Sequence, residues 1–311
     1  MQSIGCLTQY KGINYSAVFA ECGIFMLIIS KEIEQKIQQT VKSSNGVLPK
    51  PLLDMLMAEF SVDIETLLQS LLPIAATFSI APVSNFNVGA IAYNKNSGNA
   101  YLGSNLEFNH AALCLVVHAE QSAINTAWLN GETQLTHLAI TDAPCGHCRQ
   151  FINEVNLAQQ IQILLPQVST SLNELLPHSF GPADLGNKTR LLDKEEMQTV
   201  DTNLEISTEL KSHYNNSYAP YSGNKSAVEI KTAKHGSFYG RYAENVAYNP
   251  SLSPLQSALS QMALSGLDLD EVEVVEITLV ETEQYKNQSG VADVVLNSFT
   301  GKYEIKKAYV S

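Results

Sequence analysis

Three short motifs occur twice in this chain, in the same order, and this duplication limits its possible folds more than any other feature. The matching pairs are APVS at 81–84 with APYS at 219–222, YLG at 101–103 with FYG at 238–240, and QSAI at 121–124 with QSAL at 256–259. Their offsets are 138, 137 and 135 residues, so the three pairs share one register with small gaps. Repeated motifs in a single register indicate that one domain fold is built twice.

The apolar pattern of the first copy alternates between helical and strand spacing. Residues 31–80 have helical spacing that Pro49 and Pro51 interrupt, and their third helix is expected to begin after Ser61 or Asp63. The predicted helices are an early one, 52–60, 64–78, 118–129 and 145–154, and the predicted strands are 87–93, 101–104, 135–141 and 161–165. Strands that alternate with helices predict a layered α/β domain whose sheet contains parallel pairs.

A polar, charged stretch with no sustained apolar period separates the two copies. A chain of 311 residues agrees with two domains, since about 150 residues per domain is a usual expectation. The predicted boundaries are an N-terminal helical extension at 1–62, a catalytic domain at 63–185, a linker at 186–206 and a non-catalytic repeat at 207–311.

The charge of the chain disfavours a polynucleotide substrate. It has 19 Lys and Arg against 31 Asp and Glu, a net charge of -12 and a pI of about 5.0. Affinity for nucleic acids comes largely from cations that neutralise phosphates. We therefore expect a small-molecule substrate and no nucleic acid partner.

The cysteines and the apolar segments favour a cytoplasmic protein with no membrane partner. Five cysteines, two of them in a C-x-x-C pair, do not suit a disulfide scaffold and favour a reducing compartment. The apolar run at 18–29 is interrupted by Glu21 and falls short of the ~20 residues that span a bilayer. It also lacks the small-residue cleavage site of a secretion signal.

Two motifs in the first copy form a candidate metal site. HAE stands at 118–120 and PCGHC at 144–148, which supplies an imidazole from His118 and two thiolates from Cys145 and Cys148. Catalytic zinc sites use three protein ligands and leave a position for water, whose pKa the metal lowers. H-x-E followed by P-C-x-x-C is also the pattern shared by zinc deaminases, in which the glutamate, here Glu120, moves protons and is not a ligand.

Each motif taken alone has an ordinary explanation. A C-x-x-C pair also fits a structural zinc site or a redox pair, and HAE fits an ordinary helix. His147 lies inside the cysteine loop and is a competing ligand.

Three features favour a free nucleoside over a polymer. Phe86 stands at a strand start, where its ring is placed to stack on a pyrimidine, and it also suits a core position. Asn105 and Glu107 follow a strand end, two residues apart, and are placed to reach ribose hydroxyls, although Glu107 also suits a solvated surface. Clustered basic residues with interleaved aromatics, typical of single-strand binding, are missing near these motifs.

Five motifs together resemble cytidine deaminase of the two-domain, homodimeric bacterial type. They are SNFNVGA from 84, SNLEF from 104, VHAEQSAI from 117, PCGHCRQF from 144 and FGPADL from 180, and the resemblance runs from about residue 64 to the C-terminus. It implies a duplicated three-layer α/β/α fold of the cytidine-deaminase type. It also implies a role for each of ten residues. The zinc ligands are His118, Cys145 and Cys148, and Glu120 shuttles protons. The ribose side is bound by Asn105, Leu106 and Glu107, while Phe86 packs on the base, the Ala119 backbone contacts the pyrimidine edge, and Phe180 closes the site from the partner subunit.

The function that this resemblance implies is deamination of cytidine and 2′-deoxycytidine to the uridine counterparts, with release of ammonia, in pyrimidine salvage. One departure from the family pattern is Asp142-Ala143 before Pro144, on the side of the pocket where ammonia would leave. Two alternatives stay open: a zinc deaminase acting on another base or on a nucleotide, and a zinc-bound scaffold without turnover.

The second copy is expected to bind no metal. The position of His118 falls on Ser253 or Pro254, that of Glu120 falls on Leu255 or Gln256, and cysteines are missing after Cys148. We therefore expect one Zn²⁺ per chain. Ala243-Glu244-Asn245 resembles the ribose-binding strand in a rearranged order.

Overall fold

The computed structural model describes residues 18–19, 25–194, 198–268 and 270–310. The segment before the first repeat contains β1 (Val18–Phe19), β2 (Phe25–Met26), α1 (Lys31–Ser43), β3 (Val47–Leu48) and α2 (Lys50–Phe60). The first repeat contains α3 (Ile64–Ala76), β4 (Gly89–Asn94), β5 (Asn99–Ser104), α4 (Ala119–Leu129), β6 (His137–Ile140), α5 (Gly146–Ile152), β7 (Gln162–Leu165), β8 (Val168–Ser171) and α6 (Leu172–Leu175). The second contains α7 (Thr208–Asn215), β9 (Ser226–Thr232), β10 (Gly236–Arg241), α8 (Pro254–Leu264), β11 (Val274–Thr282), α9 (Gln288–Leu296) and β12 (Ile305–Val310).

The two repeats have sheets of the same strand order. The first sheet runs β3-β5-β4-β6-β7-β8 and the second runs β10-β9-β11-β12. The predicted parallel pairs are β6 with β7 and β11 with β12, while the remaining pairs of both sheets are antiparallel. Without its two edge strands, β3 and β8, the first sheet is β5-β4-β6-β7, which matches the second sheet β10-β9-β11-β12 element by element. The duplication seen in the sequence is therefore a duplication of the α/β fold.

Each face of the first sheet is covered by helices, so its central strand is buried on both sides. Ile91 of β4 belongs to the core beneath α1, α2 and α3, whereas its neighbours Ala90 and Ala92 belong to the core beneath α4. Asp63 begins α3, as expected, because its carboxylate accepts a hydrogen bond from the N–H of Thr66 at 2.9 Å. These layers give the α/β/α arrangement of the first repeat.

Helices α4 and α8 pack against each other and join the repeats through a pseudo-two-fold axis. The hydroxyls of Ser122 and Ser260 lie 2.7 Å apart, and Ser257 donates to the side-chain oxygen of Asn125 at 2.6 Å. Ser257 and Ser260 stand 135 residues after Ser122 and Asn125, so the two contacts exchange equivalent positions. One apolar core runs through this interface and includes residues of both sheets.

Several predicted boundaries differ from the structure. The helix predicted at 145–154 covers Gly146–Ile152, and β3, β8 and α6 were not predicted. Leu191 and Leu192 lie inside the predicted linker but are 1% and 2% exposed, and Leu191 bridges Val155. Residues 20–24 of the apolar run at 18–29, Glu21 among them, lie outside the described residues. Among the helices that the structure describes, none has the length and apolar character needed to cross a membrane.

Candidate metal centre

The three predicted metal ligands come together at the starts of two helices. His118 is the residue before α4, Cys145 is the residue before α5, and Cys148 lies in the first turn of α5. Their ligand atoms all lie within 4.8 Å of one another. Helix starts carry partial positive charge, which favours thiolates at this place.

The distances in this group fit zinc. The two sulfurs are 3.5 Å apart, and Cys145 Sγ is 3.7 Å from His118 Nδ1. Tetrahedral Zn²⁺ with bonds of about 2.3 Å to sulfur and about 2.0 Å to nitrogen places ligand atoms about 3.5–3.8 Å apart. Two thiolates and one imidazole are also a donor set that zinc prefers, and three protein ligands leave a fourth position open.

The two thiols have opposite pKa shifts because they share one contact. The side chain of Cys148, followed by that of His118, lowers the pKa of Cys145 to about 3. The neighbouring Cys145 and then burial raise the pKa of Cys148 well above its usual range. In the protein without metal, Cys145 is therefore the favoured thiolate. A bound cation would have to displace the proton of the Cys148 thiol.

His118 is held in place by its own helix. Gln121, three residues later, accepts a hydrogen bond from the His118 N–H at 3.2 Å, and Val117 pairs with Leu106 on the other side. The ring of His147 stacks on the His118 ring with 4.7 Å between centroids. His147 does not belong to the group of ligand atoms found among the described residues, so its place is beside the site.

Glu120 lies on the first turn of α4, facing the ligands. It is 4% exposed, and burial raises the pKa of its carboxyl, against the opposing effect of Cys148 and His118. A buried acid next to a metal-ligand group is suited to carrying a proton.

Asn105 and Glu107 both hold the loop that precedes β4. Glu107 accepts from the N–H groups of Val83 and Ser84, each at 2.9 Å, and from the Ser84 hydroxyl at 2.5 Å. Burial raises the pKa of Glu107, but these hydrogen bonds outweigh it and the pKa lies below its usual value. A carboxylate has about four lone-pair sites. Because Glu107 uses three of them in these hydrogen bonds, one remains for a ligand.

The amide of Asn105 also keeps part of its capacity. Its oxygen accepts from the Val88 N–H at 2.9 Å and its nitrogen donates to the Phe86 carbonyl at 3.0 Å. One donor hydrogen and one lone pair remain for a further partner.

The second repeat contains the same carboxylate arrangement without the metal ligands. Glu244 accepts from the N–H of Tyr221 at 2.7 Å, from the N–H of Ser222 at 3.1 Å and from the Ser222 hydroxyl. Holding this loop is therefore a property of the duplicated fold, which Glu107 combines with any role toward a ligand.

The register of the second repeat is fixed by its backbone bridges. Ala243 bridges Tyr218 and Leu252 just as Leu106 bridges Ile80 and Val117. Ser253 thus takes the place of His118, and Leu255 that of Glu120. Of the alternatives left by the sequence, these two are the ones in register, and neither side chain binds metal.

The two aromatic residues predicted to contact substrate are exposed. Phe86 is 55% and Phe180 51% exposed, and the Phe180 carbonyl accepts from Gln150 at 2.9 Å and from Asn153 at 3.1 Å. Neither ring is packed into the core. Asp142 and Ala143, the departure from the family pattern, are exposed as well.

Sequence reasoning missed the contacts that tie the second repeat to the ligand-bearing helices. Gln121 donates to the Pro250 carbonyl at 2.9 Å, and the buried Glu154 contacts Tyr218 and Tyr221. The one available signal was the repeated QSA motif, which places Gln121 and Gln256 at equivalent positions.

Comparisons with known proteins found two family models and several relatives that are similar to this chain. Models of the cytidine and deoxycytidylate deaminase zinc-binding region match residues 62–164 and residues 172–292. Cytidine deaminase of Shewanella loihica is 47% identical over 224 residues, covering 71% of this chain and 75% of the relative. Cytidine deaminase of Vibrio atlanticus is 48% identical over 206 residues, covering 66% of this chain and 70% of the relative. The crystal structure of cytidine deaminase from Mycobacterium tuberculosis is 27% identical, with a TM-score of 0.35 over 38% of this chain and 98% of that one.

Proposed function

The chain belongs to the cytidine deaminase family, and we propose that it hydrolyses cytidine and 2′-deoxycytidine to uridine and 2′-deoxyuridine with release of ammonia. The observation that carries this proposal is the cluster of His118, Cys145 and Cys148 with the buried Glu120 beside it. This set has the ligands and the proton carrier of a hydrolytic deaminase in one place. Uridine formation in the cytoplasm would serve pyrimidine salvage.

His118 Nδ1, Cys145 Sγ and Cys148 Sγ would hold the zinc ion. When bound, zinc supplies a Lewis acid that lowers the pKa of water at the open fourth position. The two thiolates offset the charge of the cation. The start of α5 stabilises them through its free N–H groups.

Glu120 moves the protons that hydrolysis of the amine requires. Its carboxylate, on the first turn of α4, accepts a proton from the attacking water and donates it to N3 of the pyrimidine. It then accepts the remaining proton of the same oxygen, now bonded to C4, and delivers it to the amine, which leaves as ammonia. Because Glu120 is buried, its proton is not exchanged freely with solvent between these steps.

Four residues near the metal ligands bind and orient the nucleoside. Asn105 and Glu107 use their remaining hydrogen-bonding capacity on the ribose hydroxyls, with Leu106 buried between them. Phe86 packs on the face of the base, and the backbone of Ala119 contacts the pyrimidine edge. An unmodified 3′-hydroxyl is needed because Glu107 accepts from it, so a 3′-phosphodiester brings repulsive charge to this carboxylate.

The active form that we propose is a homodimer. Phe86 and Phe180 are more than half exposed in the single chain, so both rings are accessible to a partner subunit. Phe180 of the partner subunit would cover the base, and closed two-fold symmetry is the commonest arrangement of soluble homo-oligomers.

The test is cytidine turnover followed by ultraviolet absorbance, with the zinc content measured on the same sample. We expect turnover of cytidine and 2′-deoxycytidine at about one zinc per chain, and no turnover of single-stranded DNA or of cytidine 3′-phosphodiesters. Efficient reaction with the polymer, or with a nucleotide in preference to the nucleoside, would assign the chain to another branch of zinc deaminases. Bound zinc without turnover of any of these compounds would support a scaffold.

A further inference from the structure

A buried carboxylate connects the helix that carries Cys148 to the second repeat. Glu154 follows α5 and is 0% exposed, and its Oε1 accepts from the hydroxyls of Tyr218 at 2.7 Å and Tyr221 at 2.5 Å. Its Oε2 accepts from the N–H of Val246 at 2.9 Å. All three donors belong to the second repeat. We call Glu154, Tyr218, Tyr221 and Val246 the carboxylate clamp.

The stability of α5 alone does not explain an acidic residue at this place. The C-terminal end of a helix carries partial negative charge, so a carboxylate just beyond it is unfavourable. Burial raises the pKa of Glu154, and a buried carboxylate is tolerated only when donors surround it. The donors come from the other domain, so what this carboxylate stabilises is the connection between the domains.

Further hydrogen bonds connect the second repeat to both helices that carry the metal ligands. Asn245 donates to the carbonyl of Gln150 in α5 at 2.9 Å. Gln121, three residues after His118 in α4, donates to the Pro250 carbonyl at 2.9 Å. The second repeat therefore contacts the helix of the imidazole ligand and the helix of the thiolate ligands.

Among the residues that the structure describes, the other half of the pseudo-two-fold interface has no such clamp. Glu154 stands two residues after the end of α5, and Ser298 stands two residues after the end of α9. The N–H of each donates to the carbonyl of the third residue before it, so Ser298 takes the position of Glu154. The hydroxyl of Ser298 donates to Val295 in its own helix.

The tyrosine positions of the clamp are also apolar in the other half. The backbone bridges align Tyr218 with Ile80, and the repeated motif aligns Tyr221 with Val83. Ile80 and Ser298 instead line a cavity at this place. The clamp is thus confined to the half of the interface that contains the two cysteine ligands.

We propose that the second repeat is a positioning domain for the metal centre, in which Glu154, Tyr218 and Tyr221 hold α5 so that the two thiolates stay at coordinating distance. This proposal takes the identity of the metal from the proposed function. Ligand distances in zinc sites are expected to lie within about 0.2 Å of their usual values. Because α5 has seven residues, a tilt at its C-terminal end moves Cys145 and Cys148 at its start.

The experiment compares two tyrosine variants of the full chain. Tyr221→Phe removes one hydroxyl from the carboxylate clamp. Tyr239→Phe is the matched control, since Tyr239 donates at 2.9 Å to Glu229, a buried carboxylate whose partners in the described part of the chain all belong to the second repeat. Glu154→Gln and Glu229→Gln form a second pair with larger expected effects. The measurements are the rate of zinc release to excess chelator, the thiolate-to-cobalt absorption of the cobalt form, and the melting temperature.

We expect Tyr221→Phe and Glu154→Gln to release zinc about 10-fold or more faster than the unchanged chain, since substitution of residues that orient metal ligands weakens metal affinity by about 10–100-fold. The cobalt absorption should shift in the same two variants. The Glu229 and Tyr239 variants should lower the melting temperature comparably while releasing zinc at the unchanged rate. Equal release rates in all variants, or rates that follow the melting temperature alone, would overturn the proposal. Neither readout uses cytidine, so failure of the proposed substrate is detected separately by the turnover of the unchanged chain.

Discussion

Gly103 is a position at which one added methyl group should separate catalysis from folding. It lies on β5 directly beneath the first turns of α4, and a Cβ at this residue would stand 2.1 Å from the N of Ala123 and 2.3 Å from the O of Ala119. Both atoms are helix backbone, so no side chain can rotate away. Since non-bonded atoms are best placed about 3.5 Å apart, Gly103→Ala requires β5 and α4 to separate by at least about 1 Å.

The magnitude of the effect follows from what α4 carries. Its start holds the imidazole of His118, and its first turn holds Glu120. A displacement of about 1 Å at a catalytic site costs about 10²-fold in rate, while overpacking costs about 1–3 kcal/mol of stability. We expect Gly103→Ala to fold, to melt at a lower temperature and to lose about 10²-fold in kcat for cytidine at saturating zinc.

The duplication provides a matched control for this variant. Gly240 occupies the same place beneath α8, where a Cβ would stand 2.1 Å from the O of Pro254 and 2.3 Å from the N of Ala258. Gly240→Ala should lower the melting temperature by a similar amount, with at most about a tenth of the effect on kcat, because α8 carries no metal ligand. Unchanged kcat in Gly103→Ala, or equal losses of kcat in both variants, would refute the reasoning.

Three further predictions concern the ligands, the proton carrier and the second repeat. Cys145→Ala and Cys148→Ala should each lose bound zinc and turnover, as measured by metal analysis and ultraviolet assay, and retained zinc would exclude that residue as a ligand. Glu120→Gln should keep about one zinc per chain and lose about 10²–10⁴-fold or more in kcat, and near-normal turnover would rule out its assigned role. A fragment ending at Leu185 should be inactive or aggregated, because removing the second repeat exposes the shared apolar core and leaves Glu154 without its donors; full activity from a stable monomeric fragment would contradict the shared-site dimer.

The fold was predictable wherever a local pattern sets it. The turn at Asn94–Asn99 contains Gly98, which adopts a φ of +75°, so the hairpin of β4 and β5 follows from its sequence. Strands β3 and β8 were missed because they are short edge strands of two and four residues, whose pairing depends on a sheet formed elsewhere in the chain. The predicted linker contains Leu191 and Leu192, which are buried although no local period marks them.

The end of α5 shows why part of the site was beyond sequence reasoning. The apolar pattern predicts a helix through Glu154, but the structure ends it at Ile152. The Leu191 N–H donates to the Glu154 carbonyl, and the Glu154 carboxylate accepts from donors more than 60 residues away. A motif can mark the atoms that bind a metal, since ligand spacing is local to two helix starts. It cannot mark the residues that hold those helices apart at the right distance, because that distance is set by two domains packing together, and the pairing of Glu154 with its tyrosines exists only once both have folded.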